Sequence, residues 1–228
     1  MTIPKPDARL LSAASFVRQG AYLADIGCDH AYLPLYLCQT GKITSALACD
    51  IAKGPCERAK HNIAMAGMSE KIDVVQTNGL AGLDQKGVTD ISICGMGGEL
   101  IASIISDAPF VKDPSIRLIL LPMSRIAHLR TYLLQNGFGI EDECLSEVDE
   151  KIYTCLSVTY QGTPRTITPF EAEFGMIAPK KQPLSPLFIK QLETKQKALL
   201  RRREGLSLSG RSTEAEDVLM LEIARYLS

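Results

Sequence analysis

Nothing in this chain approaches the roughly 20 consecutive apolar residues that a membrane-spanning helix needs. The opening stretch, MTIPKPDARLLSAASF, has no basic region followed by a long apolar run, so no signal peptide is expected. Metal patterns are missing too: the seven cysteines (28, 38, 49, 56, 94, 144 and 155) form no CxxC pair and have no histidines at ligand spacing. There is no internal repeat and no low-complexity tract. Neither sign of charge is in excess; the formal net charge of −1 neither demands nor excludes a nucleic-acid partner. These absences lead to the expectation of a cytoplasmic protein with reduced, mostly buried thiols, no membrane association and no metal.

What is present is a chain of 228 residues, 46% of them hydrophobic, enough for one domain with a proper core and a smaller appendage. Apolar runs of strand length alternate with helical patterns. Strands are predicted at 22–26, 43–50, 72–76, 90–94 and 118–121, with helices at 10–17, 32–40, 55–66, 98–105 and 127–135. Such alternation implies an α/β fold, a parallel sheet covered by helices on both faces. Two further strands, 138–147 and 152–161, are separated only by a short polar turn, which suits an antiparallel hairpin. A closing hairpin of this kind points to the class I methyltransferase form of the Rossmann-like sheet. Beyond residue 162 the chain is punctuated by prolines and then carries two helical patterns, 184–203 and 213–227, predicted to form a C-terminal helical hairpin. The expected domains are 1–162 and 163–228.

Ligands of open α/β sheets sit outside the carboxyl ends of the strands. Four of those ends carry residue types suited to S-adenosylmethionine. The first has Asp25, Gly27 and Cys28, an acid for the ligand's amino group and a glycine for close approach. The second ends on Asp50, which can accept from both ribose hydroxyls. The third is followed by Asn78-Gly79-Leu80, an amide and backbone groups for an adenine edge and a leucine for its ring. The fourth is followed by Gly95-Met96-Gly97-Gly98, where glycines admit backbone around a transferring methyl. A dinucleotide GxGxxG is not formed, because Asp29 and Tyr32 stand where its later glycines belong. Asp29 would repel a pyrophosphate and attract a sulfonium. Singly, each residue has an ordinary use: a solvated strand-end carboxylate, a helix-start histidine at His30, an N-cap at Asp29. Four consecutive strand ends make coincidence the weaker account.

The stretches LADIGCDHAYLP, KGPCERAKHNI, NGL, ICGMGGELI, LILLP and NGFGIEDECLSEVDEKIY, in that order, resemble the bacterial tRNA (adenine-22, N1)-methyltransferases. The resemblance implies a class I domain, S-adenosylmethionine as donor, methylation of an adenine N1 in tRNA, and an appended helical region that helps hold the RNA. Cys28 stands where the family often has serine, Asp50 where it has glutamate, and Met123 where it commonly has Gln or Asn. On this reading Asp29 faces the base that becomes cationic, while His30 and Tyr32 stack on it or bond to it. Lys190, Lys195, Lys197, Arg201, Arg202 and Arg203 make the appendage basic and are the expected RNA contacts. Two alternatives remain open at the level of sequence: a small-molecule methyltransferase whose hairpin serves oligomerisation, and a non-catalytic RNA-binding or cofactor-sensing module.

Overall fold

The computed structural model describes residues 6–181 and 183–227. The chain divides into two compact units, Met1–Thr166 and Ile167–Ser228. Each is described by itself.

The first unit opens with helix α1 (Ala8–Phe16), whose N-cap, Asp7, accepts from the backbone N–H groups of Arg9 and Leu10. There follow β1 (Tyr22–Ile26), α2 (Tyr32–Gln39), β2 (Ser45–Asp50), α3 (Lys53–Met65), β3 (Ile72–Gln76), β4 (Asp90–Cys94) and α4 (Gly98–Ser106). Then come a short 3-10 turn at Pro109–Lys112, β5 (Arg117–Leu121), α5 (Ile126–Gln135), β6 (Phe138–Val148) and β7 (Lys151–Tyr160). The strands form one sheet in the order β3-β2-β1-β4-β5-β7-β6. The first five are parallel; β7 inserts antiparallel between β5 and β6. This is the class I methyltransferase arrangement, including its closing hairpin.

Alternation along the strands explains why both faces are covered. In β1, Ala24 and Ile26 face a core shared with Ile101 and Ile105 of α4 and Leu129 and Leu133 of α5. Leu23 faces a second core, with Ala13 of α1, Val17 just beyond it, Leu33 and Leu37 of α2, and Ile63 of α3. Successive side chains on opposite, equally apolar faces are what a parallel sheet between two helical layers requires. Between β6 and β7 lie Asp149 and Glu150, both with positive φ (49° and 62°), the signature of a two-residue type I′ turn. A buried ion pair, Arg130 to Glu143 at 2.9 Å, ties α5 to β6.

The second unit holds α6 (Pro169–Phe174), α7 (Pro186–Leu208) and α8 (Glu214–Leu227), with a 3-10 turn at Ala178–Lys180. Helix α6 has a complete capping box between Thr168 and Glu171. Phe170, Phe174, Phe188 and Tyr226 pack ring against ring at the centre of this unit. Among the described residues, no helix is long and apolar enough to cross a membrane.

Candidate active site at the carboxyl ends of β1, β2 and β4

The strand order reverses between β1 and β4, so a crevice must open where their carboxyl ends diverge. The chain leaves β1 through a loop with three left-handed positions: Gly27 (φ 73°), Asp29 (φ 43°) and Ala31 (φ 57°). The N–H groups of Gly27 and Cys28 both donate to the Cys49 carbonyl at the end of β2, at 2.8 and 3.0 Å. That clamp closes the loop against the neighbouring strand. A Cβ at Gly27 would also collide with the tip of Met96. Thus Met96 lies over the glycine and joins the β1 and β4 ends, while also packing on the core.

Asp25 is buried in β1 and accepts one hydrogen bond, from the Ser92 hydroxyl of β4, at 2.6 Å. Burial pushes its carboxyl up to about 7; the Ser92 bond opposes the rise and the nearby Asp50 charge adds to it. No cation pairs with it among the described residues. A buried acid without a cation is a natural partner for a ligand's ammonium group. Asp50, by contrast, is only half-buried. Its Oδ1 accepts from the Ala52 N–H at 3.0 Å and its Oδ2 from the Asp29 N–H at 3.4 Å. Both oxygens are oriented by backbone yet keep lone pairs for hydroxyl donors.

Burial raises the thiols at this end of the sheet, Cys49 to about 12, and Cys28 and Cys94 also upward, with the Asp25 charge adding to each. Each thiol is thereby held toward its protonated form. Gly79 has φ 57° and sits against Ile104. Leu80 is 4% exposed and packs in the core.

The glycines after β4 divide their work differently from the sequence reading. Gly95 alone needs a positive φ, of 83°. Gly98 is required because a Cβ there would strike the Arg125 carbonyl oxygen. Its N–H donates to the Ser124 carbonyl at 2.9 Å, Gly97 bridges to Ser124, and the Met123 N–H donates to the Met96 carbonyl at 2.8 Å. The cluster thus straps the loop after β5 onto the loop after β4. Ser124 and Arg125 are missed by motif reading because their part is played by backbone.

Asp29 does not cap α2. The N-cap position is Ala31, without a side-chain bond. Instead Asp29 Oδ1 accepts from Arg58 of α3, at 3.1 Å from Nε and 2.5 Å from Nη2, and Oδ2 lies 3.4 Å from His30 Nε2. His30 and Tyr32 stack on each other, centroids 5.0 Å apart and planes 9° apart. The loop therefore presents a carboxylate, a guanidinium and an aromatic pair together. Arg58 lies within KGPCERAKHNI, yet a lone arginine on a polar helix face carries no signal by itself.

Residues 7–156 match the family described as a methyltransferase domain. The tRNA (adenine(22)-N(1))-methyltransferase of Bacillus subtilis is 37% identical over 152 residues, 67% of this chain and 64% of that protein. The chain thus spans just under two thirds of that relative. The solved structure of the B. subtilis M1A22 tRNA methyltransferase TrmK is 30% identical, with a TM-score of 0.80, covering 97% of this chain and 95% of that one. This chain belongs to the tRNA (adenine-22, N1)-methyltransferase family. Another solved relative, Streptococcus pneumoniae Sp1610 in complex with S-adenosyl-L-methionine, is 34% identical with a TM-score of 0.85, covering 98% of this chain and all of that one.

Against this family's pattern the basic residues of the second unit are less free than their sequence suggests. Lys195 pairs with Glu173 at 2.6 Å, Arg202 with Glu216 at 2.8 Å and Arg203 with Asp217 at 2.5 Å. The acids come from α6 and α8, outside the segment over which the basic run is counted. Lys197 lines a groove with Ile189, Glu193, Gln196, Tyr226 and Leu227, and Arg201 is exposed. Lys190 is half-buried on α7.

Proposed function

We propose that this protein methylates N1 of adenine 22 in tRNA, with S-adenosylmethionine as donor. The observation that carries the proposal is the loop from Gly27 to Tyr32, clamped to Cys49 and set beside Asp50, in a chain similar along nearly its whole length to TrmK. The site suits the donor: Asp25 is a buried carboxylate without a cation, Asp50 is a held acceptor for ribose hydroxyls, and Gly27 and Gly95 leave room for backbone contact. Asn78, Gly79 and the Leu80 backbone face the adenine edge on this reading, with Cys28, Met96 and Gly97 completing the lining.

Bound S-adenosylmethionine supplies an electrophilic methyl on a cationic sulfur. Adenine N1 has an in-plane lone pair, so the chain need hold no general base for it. The protein's part is to align and to stabilise charge. Asp29 supplies the carboxylate for a base that becomes cationic, and Arg58 keeps that carboxylate in place until the base arrives. His30 and Tyr32 give a flat surface for a base turned out of its stack. The sheet unit, 1–162 by the sequence reading, carries the chemistry. The helical unit, 163–228, brings the RNA through Lys190, Lys195, Lys197, Arg201, Arg202 and Arg203, with Lys197 and Arg201 least committed to internal ion pairs. A tRNA substrate and seven free thiols suit a cytoplasmic protein.

The test is incubation with unmodified tRNA and methyl-labelled donor, followed by nucleoside analysis. Label in 1-methyladenosine supports the reading; label in a small molecule, or none at all with donor bound, rejects it.

A further inference from the structure

Helix α1 runs from the carboxyl edge of the sheet to the amino edge. At its far end the Phe16 carbonyl accepts from Arg117, the first residue of β5, and Arg18 beyond it binds Asp90, the first residue of β4. Its first turn therefore lies at the edge where the candidate site opens. There Arg9 meets Met123, just past the end of β5, and Tyr153 near the start of the antiparallel β7.

The guanidinium of Arg9 is held on two sides. Nε and Nη2 donate to Asp7 Oδ2, at 3.0 and 2.5 Å, and its central carbon lies 5.1 Å from the centroid of the Tyr153 ring. The remaining nitrogen, Nη1, is directed at the Met123 sulfur at 3.7 Å. A thioether is too weak an acceptor for a charged donor. The side chain is 28% exposed, so a stronger acceptor can reach Nη1 from solvent. The residue thus combines a fixed stem, a planar donor and a poor present partner.

We propose that Arg9 binds a backbone phosphate of the target nucleotide when that nucleotide is turned out of the tRNA, supplying at the β5 end the polar contact that Met123 lacks. This rests on the tRNA-methylating reading above. A phosphate is favoured over the base because the base gains positive charge on methylation, which a guanidinium opposes. Arginine's planar fork matches phosphate oxygens. Tyr153 pre-orders the guanidinium by lying under it.

The experiment compares full-length wild type, Arg9→Ala and Arg9→Lys. It reads steady-state KM and kcat for tRNA, the salt dependence of tRNA binding, and S-adenosylhomocysteine affinity by calorimetry. Arg9→Ala is expected to raise KM for tRNA roughly tenfold or more, the effect of removing a charge-assisted bond. It should lower the log–log salt slope by roughly 0.7–0.9, the share of a single phosphate. S-adenosylhomocysteine affinity should not change. Arg9→Lys should restore the slope but not the full KM. An unchanged slope and KM in Arg9→Ala overturn the proposal. So does a parallel loss of S-adenosylhomocysteine affinity in both Arg9 variants, which marks a structural role. Should Arg9→Ala fail to fold, a wild-type KM in Arg9→Lys overturns it. Wild type that binds tRNA but makes no 1-methyladenosine defeats the methylation reading instead, while the salt slope still decides Arg9.

Discussion

Two aspartates at the β1 end illustrate how burial divides the labour of chemically identical side chains. Asp25 is enclosed and raised to about 7; its carboxyl therefore titrates in the neutral range in the free protein. A cationic ligand group favours its ionised form, so S-adenosylmethionine binding should release a proton near pH 6–7, seen calorimetrically as a dependence of heat on buffer ionisation enthalpy. In Asp25→Asn that dependence should vanish. The stability effect has a definite sign. The folded-state value lies above the unfolded value of 3.8, so the contribution is complete at low pH and is lost as pH rises through 7. Relative to wild type, Asp25→Asn should thus gain stability from pH 5 to pH 8 in urea melts. Asp29 is the exposed member of the pair. Asparagine tolerates its left-handed backbone, so Asp29→Asn removes charge without adding strain. Turnover should fall at least about tenfold while donor affinity stays within about twofold, the pattern of an interaction made in the transition state. Normal turnover would leave Asp29 as no more than the partner of Arg58.

Between elements, two features decide how the loops are held. The loop after β5 rests on the loop after β4 because Gly98 has no Cβ to strike Arg125. Gly98→Ala should destabilise the fold by about 1–3 kcal/mol, since the obstacle is backbone and cannot rotate away. Urea melts measure this, and a loss below that range would mean that the loop shifts freely. The second feature is the Arg130–Glu143 pair, 1% and 2% exposed. Arg130→Met takes the guanidinium away from the buried Glu143 carboxylate and should cost about 3–5 kcal/mol. Adding Glu143→Leu should recover much of it. Both element pairings follow from tertiary contact. At the same scale α6 escapes the sequence pattern: six residues starting on a proline hold too little periodicity, although the capping box Thr168–Glu171 marks its start.

For the molecule as a whole, the distribution of charge sets the expected encounter with RNA. The near-neutral total conceals a basic helix α7, but α8 returns part of the balance through Glu216 and Asp217. Replacing Arg201, Arg202 and Arg203 together therefore loosens the hairpin as well as removing charge. A cleaner variant is Lys197→Ala with Arg201→Ala. It should reduce the salt slope of tRNA binding by roughly 0.7–0.9 for each phosphate no longer neutralised, with unfolding unchanged. Ending the chain at Thr166 should leave donor binding intact and weaken tRNA binding, measured by filter titration at several salt concentrations. An unaltered slope in the double variant would assign α7 and α8 to structure rather than to RNA.

The strands, the glycine turns and the acids at strand ends were legible in the residues, because hydrophobic period and backbone chirality are local constraints. So was the closing hairpin, through its two apolar runs and short polar turn. Tertiary structure alone decided which carboxylate is buried, that Leu80 turns inward, that Asp29 meets Arg58 rather than capping a helix, and that Gly98 serves the loop after β5. It also placed Arg9 beside Met123 and Tyr153, residues more than a hundred positions away in the chain. The physical reason is the same throughout. Period and turn chemistry are carried by neighbours in sequence, whereas desolvation, ion pairing and close backbone approach depend on partners that only the crossover connections of a parallel sheet bring together.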